Sequence, residues 1–195
     1  MYQYIKGQLT EVKPTGVTVE NSGIGYHLLV ANPFRLEQYI NTEVKIYTEF
    51  IVREDAQLLY GFMAEDEKSL FNSLLKVTGI GPKSALAILA SASPSDIIRA
   101  IENEDSVFMQ KFPGIGKKTA SQIILDLKGK LQITDNVEET NKSVTTNDYL
   151  SEALLALEVL GYSKRELTRV EKKLADESLE SVDANVKRGL NLLLN

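Results

Sequence analysis

The stretch Leu75-Lys76-Val77-Thr78-Gly79-Ile80-Gly81-Pro82-Lys83-Ser84-Ala85 decides the organisation of the chain, because the sequence carries it twice. Residues 111–120 repeat it as Lys-Phe-Pro-Gly-Ile-Gly-Lys-Lys-Thr-Ala, with each glycine displaced by 35 positions, from 79 to 114 and from 81 to 116. Lys83 then aligns with Lys118. The sequence therefore contains an internal duplication, and each copy is expected to adopt the same local structure.

Each copy predicts two helices joined by a tight turn. Apolar residues recur at helical spacing before and after Gly-Ile-Gly, and the glycines permit a positive φ and close backbone approach. The second helix would begin with N–H groups that lack a partner within the helix, and its dipole favours an anion such as phosphate there. The candidate phosphate-binding residues are Gly79, Gly81, Lys83, Gly114, Gly116, Lys117 and Lys118.

Two other interpretations of the repeated turn exist. Residues 116–119, Gly-Lys-Lys-Thr, resemble the end of a nucleotide-binding P-loop, but that motif requires G-x-x-x-x-G-K-[ST] after a strand. Here a second lysine intervenes and a predicted helix precedes the turn, so we reject it. The remaining alternative is an ordinary helix connection with glycine caps. The duplication, with lysines in register, favours binding to a nucleic-acid backbone.

The composition is typical of a soluble globular protein, with 43% hydrophobic and 25% charged residues among 195. The absence of cysteine excludes disulfides and thiolate metal sites. No apolar run approaches the ~18 residues of a membrane span, and residues 1–4 begin a strand-like pattern rather than a signal peptide. We therefore expect a cytoplasmic protein with no membrane partner, no metal site and no cofactor.

The net charge of −5 is unevenly distributed along the chain. Residues 64–131 hold nine Lys or Arg and eight Asp or Glu, whereas both flanking segments hold more acids than bases. Between positions 111 and 130, five lysines accompany a single acid, Asp126. A DNA-binding surface is therefore expected to be local and to lie on the duplicated segment.

Residues 1–63 alternate as β-strands do. The pattern predicts strands at 2–12, 16–21, 25–31, 43–53 and 57–62, and five short strands in ~60 residues predict a small closed barrel of the OB type. The tip before the fifth strand carries Glu54 and Asp55. Because no third ligand or histidine accompanies them, the residues alone favour a solvated tip over a metal or acid–base site. His27 lies within a strand and also lacks ligand partners nearby.

The rest of the chain predicts helices. Residues 64–131 predict one compact helical unit, with helices at 65–77, 82–91, 105–112 and 117–131 and another that begins at the Ser93-Pro94 cap.

Residues 132–147 are polar and aperiodic, which predicts a flexible linker rather than an ordered loop. A leucine stripe and the capping box Ser163–Glu166 predict a three-helix, UBA-like bundle over 148–195. So small a bundle is expected to leave an apolar face exposed for a partner, although a self-sufficient bundle is the alternative.

In this order of barrel, paired turns, linker and bundle, the multidomain α+β chain resembles the RuvA family of bacterial Holliday-junction-binding proteins. The resemblance covers all 195 residues. Its most specific segments are 52–62 (Val-Arg-Glu-Asp-Ala-Gln-Leu-Leu-Tyr-Gly-Phe), 79–83, 113–120 and 156–162 (Ala-Leu-Glu-Val-Leu-Gly-Tyr). The repeated turn alone would resemble only helix-hairpin-helix DNA-binding proteins in general.

The resemblance implies a homotetramer, or an octamer, on a four-way DNA junction, with each subunit holding one duplex arm through its two turns. It implies that Glu54 and Asp55 form an acidic pin at the junction centre, which replaces the expectation of a merely solvated tip. It also implies that the C-terminal bundle binds the hexameric ATPase RuvB and that the RuvC resolvase is a further partner. The candidate RuvB contacts are Leu157, Leu160 and Tyr162.

One departure from the family and two alternative functions remain. Many members carry an acid and an arginine after Lys-Lys-Thr-Ala, whereas this chain has Ser121-Gln122, so one basic contact to DNA is expected to be missing. The first function is a non-catalytic junction scaffold that recruits a branch-migration ATPase. The second is a metal-dependent nuclease with Glu54 and Asp55 as ligands, and a third, weaker one is a protein-interaction adaptor that does not bind DNA.

Overall fold

The structure, a computed structural model, describes residues 2–131, 146–175, 177, 179 and 181–194. These residues belong to two compact units that divide between Asp135 and Asn136. Of the predicted linker, positions 132–145 lie outside the described residues, and positions 146 and 147 begin a helix. The three domain boundaries, after residues 63, 131 and 147, stay predictions.

Residues 4–62 form a closed barrel with strand order β1-β2-β3-β5-β4. Neighbouring strands are antiparallel except β3 and β5, which are parallel. The predicted OB-type barrel is confirmed, with each strand boundary within two residues of its predicted position. A 3-10 helix, Pro33–Tyr39, was not predicted. The strands are β1 (Tyr4–Lys13), β2 (Gly16–Asn21), β3 (Ile24–Val30), β4 (Glu43–Val52) and β5 (Gln57–Phe62).

Strand β1 closes the barrel because it pairs with two strands. Its first half pairs with β4 and its second half with β2, and Gln8 belongs to both ladders. At Gly7 the backbones approach so closely that a Cβ would lie 2.1 Å from the carbonyl oxygen of Glu20. Glycine is required for this approach, since any side chain would push β2 away from β1.

The central domain contains five helices, in which the two copies of the repeat pack alike. Ala85 and Ala120 are fully buried, as are Ile88 and Ile123 one turn further along. The last helix ends four residues earlier than predicted, before Gly129 adopts a φ of +71°. The helices are α1 (Glu65–Leu75), α2 (Pro82–Ser91), α3 (Pro94–Glu102), α4 (Ser106–Met109) and α5 (Lys117–Leu127).

The barrel interior has its own hydrophobic core, and β5 joins the barrel to the core of the central helices. Tyr60 and Phe62 of β5 pack against Phe71 of α1, with ring centroids 5.2 and 4.9 Å apart. The buried Lys68 of α1 joins this contact, because its Nζ donates a hydrogen bond of 2.9 Å to Gln3 and lies 4.0 Å from a carboxylate oxygen of Glu49. These contacts fix the position of the helices relative to the barrel.

The C-terminal unit is a bundle of α6 (Thr146–Val159), α7 (Lys164–Leu174) and α8 (Val182–Leu194). Its core contains Leu157, Leu167, Val170 and Leu174. The predicted capping box is confirmed: the Ser163 hydroxyl accepts from the backbone N–H of Glu166, and the Glu166 carboxylate accepts from that of Ser163. The three-helix bundle predicted from the leucine stripe is therefore confirmed.

Within the described part of the chain, no single helix has both the length and the apolar composition to cross a membrane. Together, α2 and α3 would pass that test, with a bend of 102° between them. Their buried residues, however, belong to the core of the central domain.

We expect Gly7→Ala to destabilise the barrel by about 1–3 kcal/mol, because the new methyl group would overlap backbone that cannot move without opening the ladder. Gly25→Ala is the matched control, since its Cβ would meet only a methyl group of Thr18, at 3.2 Å. Urea unfolding followed by tyrosine fluorescence measures the difference, because six of the eight tyrosines precede residue 63. Equal stability of the two variants would contradict the prediction.

Candidate nucleic-acid interface

The two repeated turns have the same backbone geometry. Gly79 and Gly114 have φ values of +90° and +77°, in the left-handed region that favours glycine. In each turn the following isoleucine donates its N–H to a carbonyl three residues earlier, at 3.1 Å in both copies. Ile80 and Ile115 are buried, so each one fills the angle between its two helices.

The second glycine of each turn has a different role. Gly81 and Gly116 are the N-cap residues of α2 and α5, with ordinary φ values of −99° and −85°. The first helical hydrogen bonds run from Ala85 to Gly81 and from Ala120 to Gly116, both at 2.9 Å. The N–H groups between cap and first bond have no partner within the helix, so they are available to an anion.

The three candidate lysines lie at these helix starts. Lys83 and Lys118 are the second residues of α2 and α5, and Lys117 is the first residue of α5. All three are exposed. Within the described ranges no carboxylate lies within 4.0 Å of any of their Nζ atoms. Each turn therefore combines N–H donors that lack a partner within the helix with the positive charge of exposed lysines, an arrangement suited to a backbone phosphate.

The hairpin between β4 and β5 lies beside the first turn. Its tip is closed by a 2.8 Å hydrogen bond from the Arg53 N–H to the Ala56 carbonyl, and Glu54 and Asp55 are exposed there. The Arg53 guanidinium lies 3.9 Å from the position that a Cβ would take at Gly81. Sequence reasoning missed this arginine, because only the fold brings residue 53 to the start of α2.

Metal coordination finds little support in the described part of the chain, where no cluster of three or more His, Asp or Glu side chains is suited to a metal ion. His27 is exposed on the barrel. The Gln122 amide, at the position where the resemblance implies an arginine, donates to Asp126 at 2.8 Å, one turn further along α5. Gln122 therefore stabilises its own helix.

The candidate residues of the C-terminal bundle divide by burial. Leu157 is fully buried in the core, where it packs against the rest of the bundle, so its contact with a partner stays a prediction. Tyr162 is half-buried against the same core, whereas Leu160 is 61% exposed. Two residues that were not predicted, Leu155 and Val159, are also exposed, at 62% and 87%. One end of α6 therefore presents an apolar surface.

Comparisons with known proteins agree along the whole chain. Residues 1–61 match the RuvA N terminal domain, residues 71–129 the SAM-like helix-hairpin-helix tandem and residues 132–194 the RuvA C-terminal domain. Three relatives named Holliday junction branch migration complex subunit RuvA align over the full length of both chains. They come from Staphylococcus saprophyticus (60% identical), Staphylococcus carnosus (59%) and Staphylococcus aureus strain Newman (55%).

We expect Gly114→Ala to strain the second turn, because alanine in the left-handed region costs ~1–2 kcal/mol. If the turn relaxes to avoid that strain, its N–H donors move and the affinity for duplex DNA falls by roughly 5–30-fold. Gly129→Ala is the matched control, since its φ is also positive and its surroundings are also open, but it lies outside both turns. Fluorescence anisotropy with a labelled duplex measures the affinity. An equal fall in affinity for both variants would contradict a specific role for the turn.

Proposed function

Because the chain belongs to the RuvA family, we propose that it binds four-way (Holliday) DNA junctions, holds them open and recruits the ATPase RuvB for branch migration in recombination and repair. We base this on the paired turns, which have the same backbone geometry and present N–H donors and lysines from one compact unit. In this role the chain is the non-catalytic, DNA-binding subunit of an ATP-dependent complex. It needs no metal or cofactor of its own.

Each subunit would hold one duplex arm by its backbone. Gly79 and Gly114 set the turns, Gly81 and Gly116 let the phosphate approach the helix start, and the lysines at positions 83, 117 and 118 add charge. These groups contact phosphate rather than base edges, so recognition is nearly independent of sequence. Shape then distinguishes a junction from a linear duplex, because only a junction offers several arms around one centre.

The symmetry of the junction favours a homotetramer. A four-way junction has four arms, and a ring of four identical subunits can give each arm the same pair of turns. A tetramer on one face leaves the other face open, where the RuvC resolvase could bind. A second tetramer on that face would make an octamer and exclude the resolvase, so the two assemblies have different consequences.

The acidic pin acts by repulsion. In a tetramer, Glu54 and Asp55 of each subunit would bring eight carboxylates close to the point where strands exchange. Since each is exposed at a hairpin tip and faces a phosphate backbone, their charge disfavours an intact duplex at the centre. Strands that separate there can pair anew in the neighbouring arms. This role requires fixed negative charge and no chemistry.

Gel-shift binding to a four-way junction and to a linear duplex of matched sequence, across a salt series, tests the proposal. In EDTA we expect a strong preference for the junction and a steep salt dependence, with log K falling by about 0.9 per neutralised phosphate per log unit of salt. Lys118→Ala should weaken binding to both DNAs. Equal, weak binding to the two DNAs would reduce the protein to a general helix-hairpin-helix binder, and absence of binding would favour the adaptor. Cleaved strands after addition of Mg²⁺ would favour the nuclease.

The apolar end of α6 is the surface that we assign to RuvB. Leu155, Val159 and Leu160 are exposed, whereas the leucines that face α7 and α8 are buried or half-buried. Large exposed apolar side chains that lie together commonly mark a protein interface. Tyr162 lies two residues after Leu160 and is half-buried against the bundle core, so we include its exposed part in the same surface.

Leu160→Asp should abolish binding to RuvB without destabilising the bundle, because its side chain is mostly exposed. Leu157→Ala should instead lower the free energy of unfolding by about 2–5 kcal/mol, since it removes a fully buried side chain. Titration of each variant with RuvB, together with thermal unfolding by circular dichroism, separates the two effects. If Leu160→Asp binds RuvB as the unmodified chain does, the surface has been assigned to the wrong face.

A further inference from the structure

The two repeated turns differ at one position that bears on phosphate binding. Position 117, the first residue of α5, is an exposed lysine, whereas its equivalent in α2 is the buried Pro82. Proline has no N–H. The start of α2 therefore has one N–H donor fewer and one lysine fewer than the start of α5, although the backbone of the two turns is otherwise the same.

Arg53, which is distant from α2 in the sequence, brings a cation close to the start of α2. Nη2 of Arg53 lies 3.9 Å from the position of a Cβ on Gly81, directly beside the start of α2. Its charge also acts on Tyr60, the buried residue of β5 whose pKa is raised by burial and lowered in part by Arg53. The 3.9 Å distance places the guanidinium beside the start of α2.

The position of Arg53 is unfavourable unless an anion binds. The start of α2 carries partial positive charge from the helix dipole, so a second cation beside it is repelled. Among the described residues no carboxylate lies within 4.0 Å of the guanidinium, and the adjacent Glu54 and Asp55 do not pair with it. A phosphate would accept hydrogen bonds both from the guanidinium and from the free N–H groups of Lys83 and Ser84.

We propose that Arg53 is the second cation of the first turn and binds the same DNA phosphate as the start of α2, as Lys117 does in the second turn. The inference rests on the proposed binding of junction DNA. It makes the first turn the one closest to the junction centre, because Arg53 immediately precedes the acidic pin. The hairpin between β4 and β5 then has two effects: Arg53 attracts the last phosphate of an arm, and Glu54 and Asp55 repel the strands beyond it.

The test compares Arg53→Gln with Lys117→Gln, which remove one cation each from the two turns. We expect both to weaken junction binding by about tenfold near 0.1 M salt, as for hydrogen bonds to charged groups. Both should also reduce the slope of log K against log salt by the same amount, about 0.9 for each phosphate that the protein no longer neutralises. Arg53→Lys should restore the slope, because it keeps the charge. Lys187→Gln, in the C-terminal bundle, controls for net charge and should leave the slope unchanged.

A second readout separates this inference from the proposed function. With 2-aminopurine at the crossover, Arg53→Gln should reduce the fluorescence increase at saturation, whereas Lys117→Gln should leave it unchanged, because only Arg53 adjoins the pin. An unchanged salt slope in Arg53→Gln, with normal junction preference, would overturn the role of Arg53 and leave the proposed function intact. Failure of the unmodified chain to prefer a junction would instead overturn the proposed function.

Discussion

The proposed DNA-binding surface depends on two left-handed glycines, Gly79 and Gly114. A positive φ at each glycine reverses the chain directly after a helix, so the next residue, an isoleucine, turns into the core while the following helix begins at the surface. The φ angle of each glycine therefore decides both that the isoleucine is buried and which N–H groups of the following helix lack a partner within that helix. Because the buried isoleucine packs in the core that holds the helices, the donors are already in position before DNA arrives, and binding need not order them.

This arrangement explains how a chain with a net charge of −5 can bind a polyanion. Exposed lysines attract phosphate weakly at physiological salt, because their field is screened beyond ~8 Å. The helix starts act at short range, where screening matters less, and the lysines at positions 83, 117 and 118 add to them locally. Acidic surface elsewhere repels DNA and so disfavours binding outside the turns. A negative net charge and a DNA-binding role are compatible when the positive groups are concentrated in this way.

Local features were predictable from the sequence, and contacts between distant segments were not. Strand alternation and the 35-residue repeat predicted the elements closely, because each depends on neighbouring residues. Tyr60 packs on Phe71, and the lysine at position 68 is buried against the barrel. Both contacts join the barrel to α1, and the pattern within either segment does not indicate which residues of the other segment it contacts. Leu157 and Leu160 belong to one leucine stripe, yet α8 covers only the first: at Gly189 a Cβ would lie 2.7 Å from a methyl of Leu157. The proposed role of Arg53 was unpredictable for the same reason, since its neighbour Gly81 lies far along the chain.

The packing of β5 on the central helices would hold the proposed acidic pin in place. Carboxylates on a mobile loop would move away from the DNA, and salt would screen their charge. Their repulsion would then be too weak to separate the strands. Here β4 and β5 pair up to Val52 and Gln57, the tip is closed by the Arg53–Ala56 hydrogen bond, and β5 is anchored to α1 through Phe71. The hairpin tip and the first turn are therefore anchored to the same packed helices. If the turn holds the arm as proposed, the strand could not relieve the repulsion by shifting the whole duplex, and the remaining response would be to separate its base pairs at the centre.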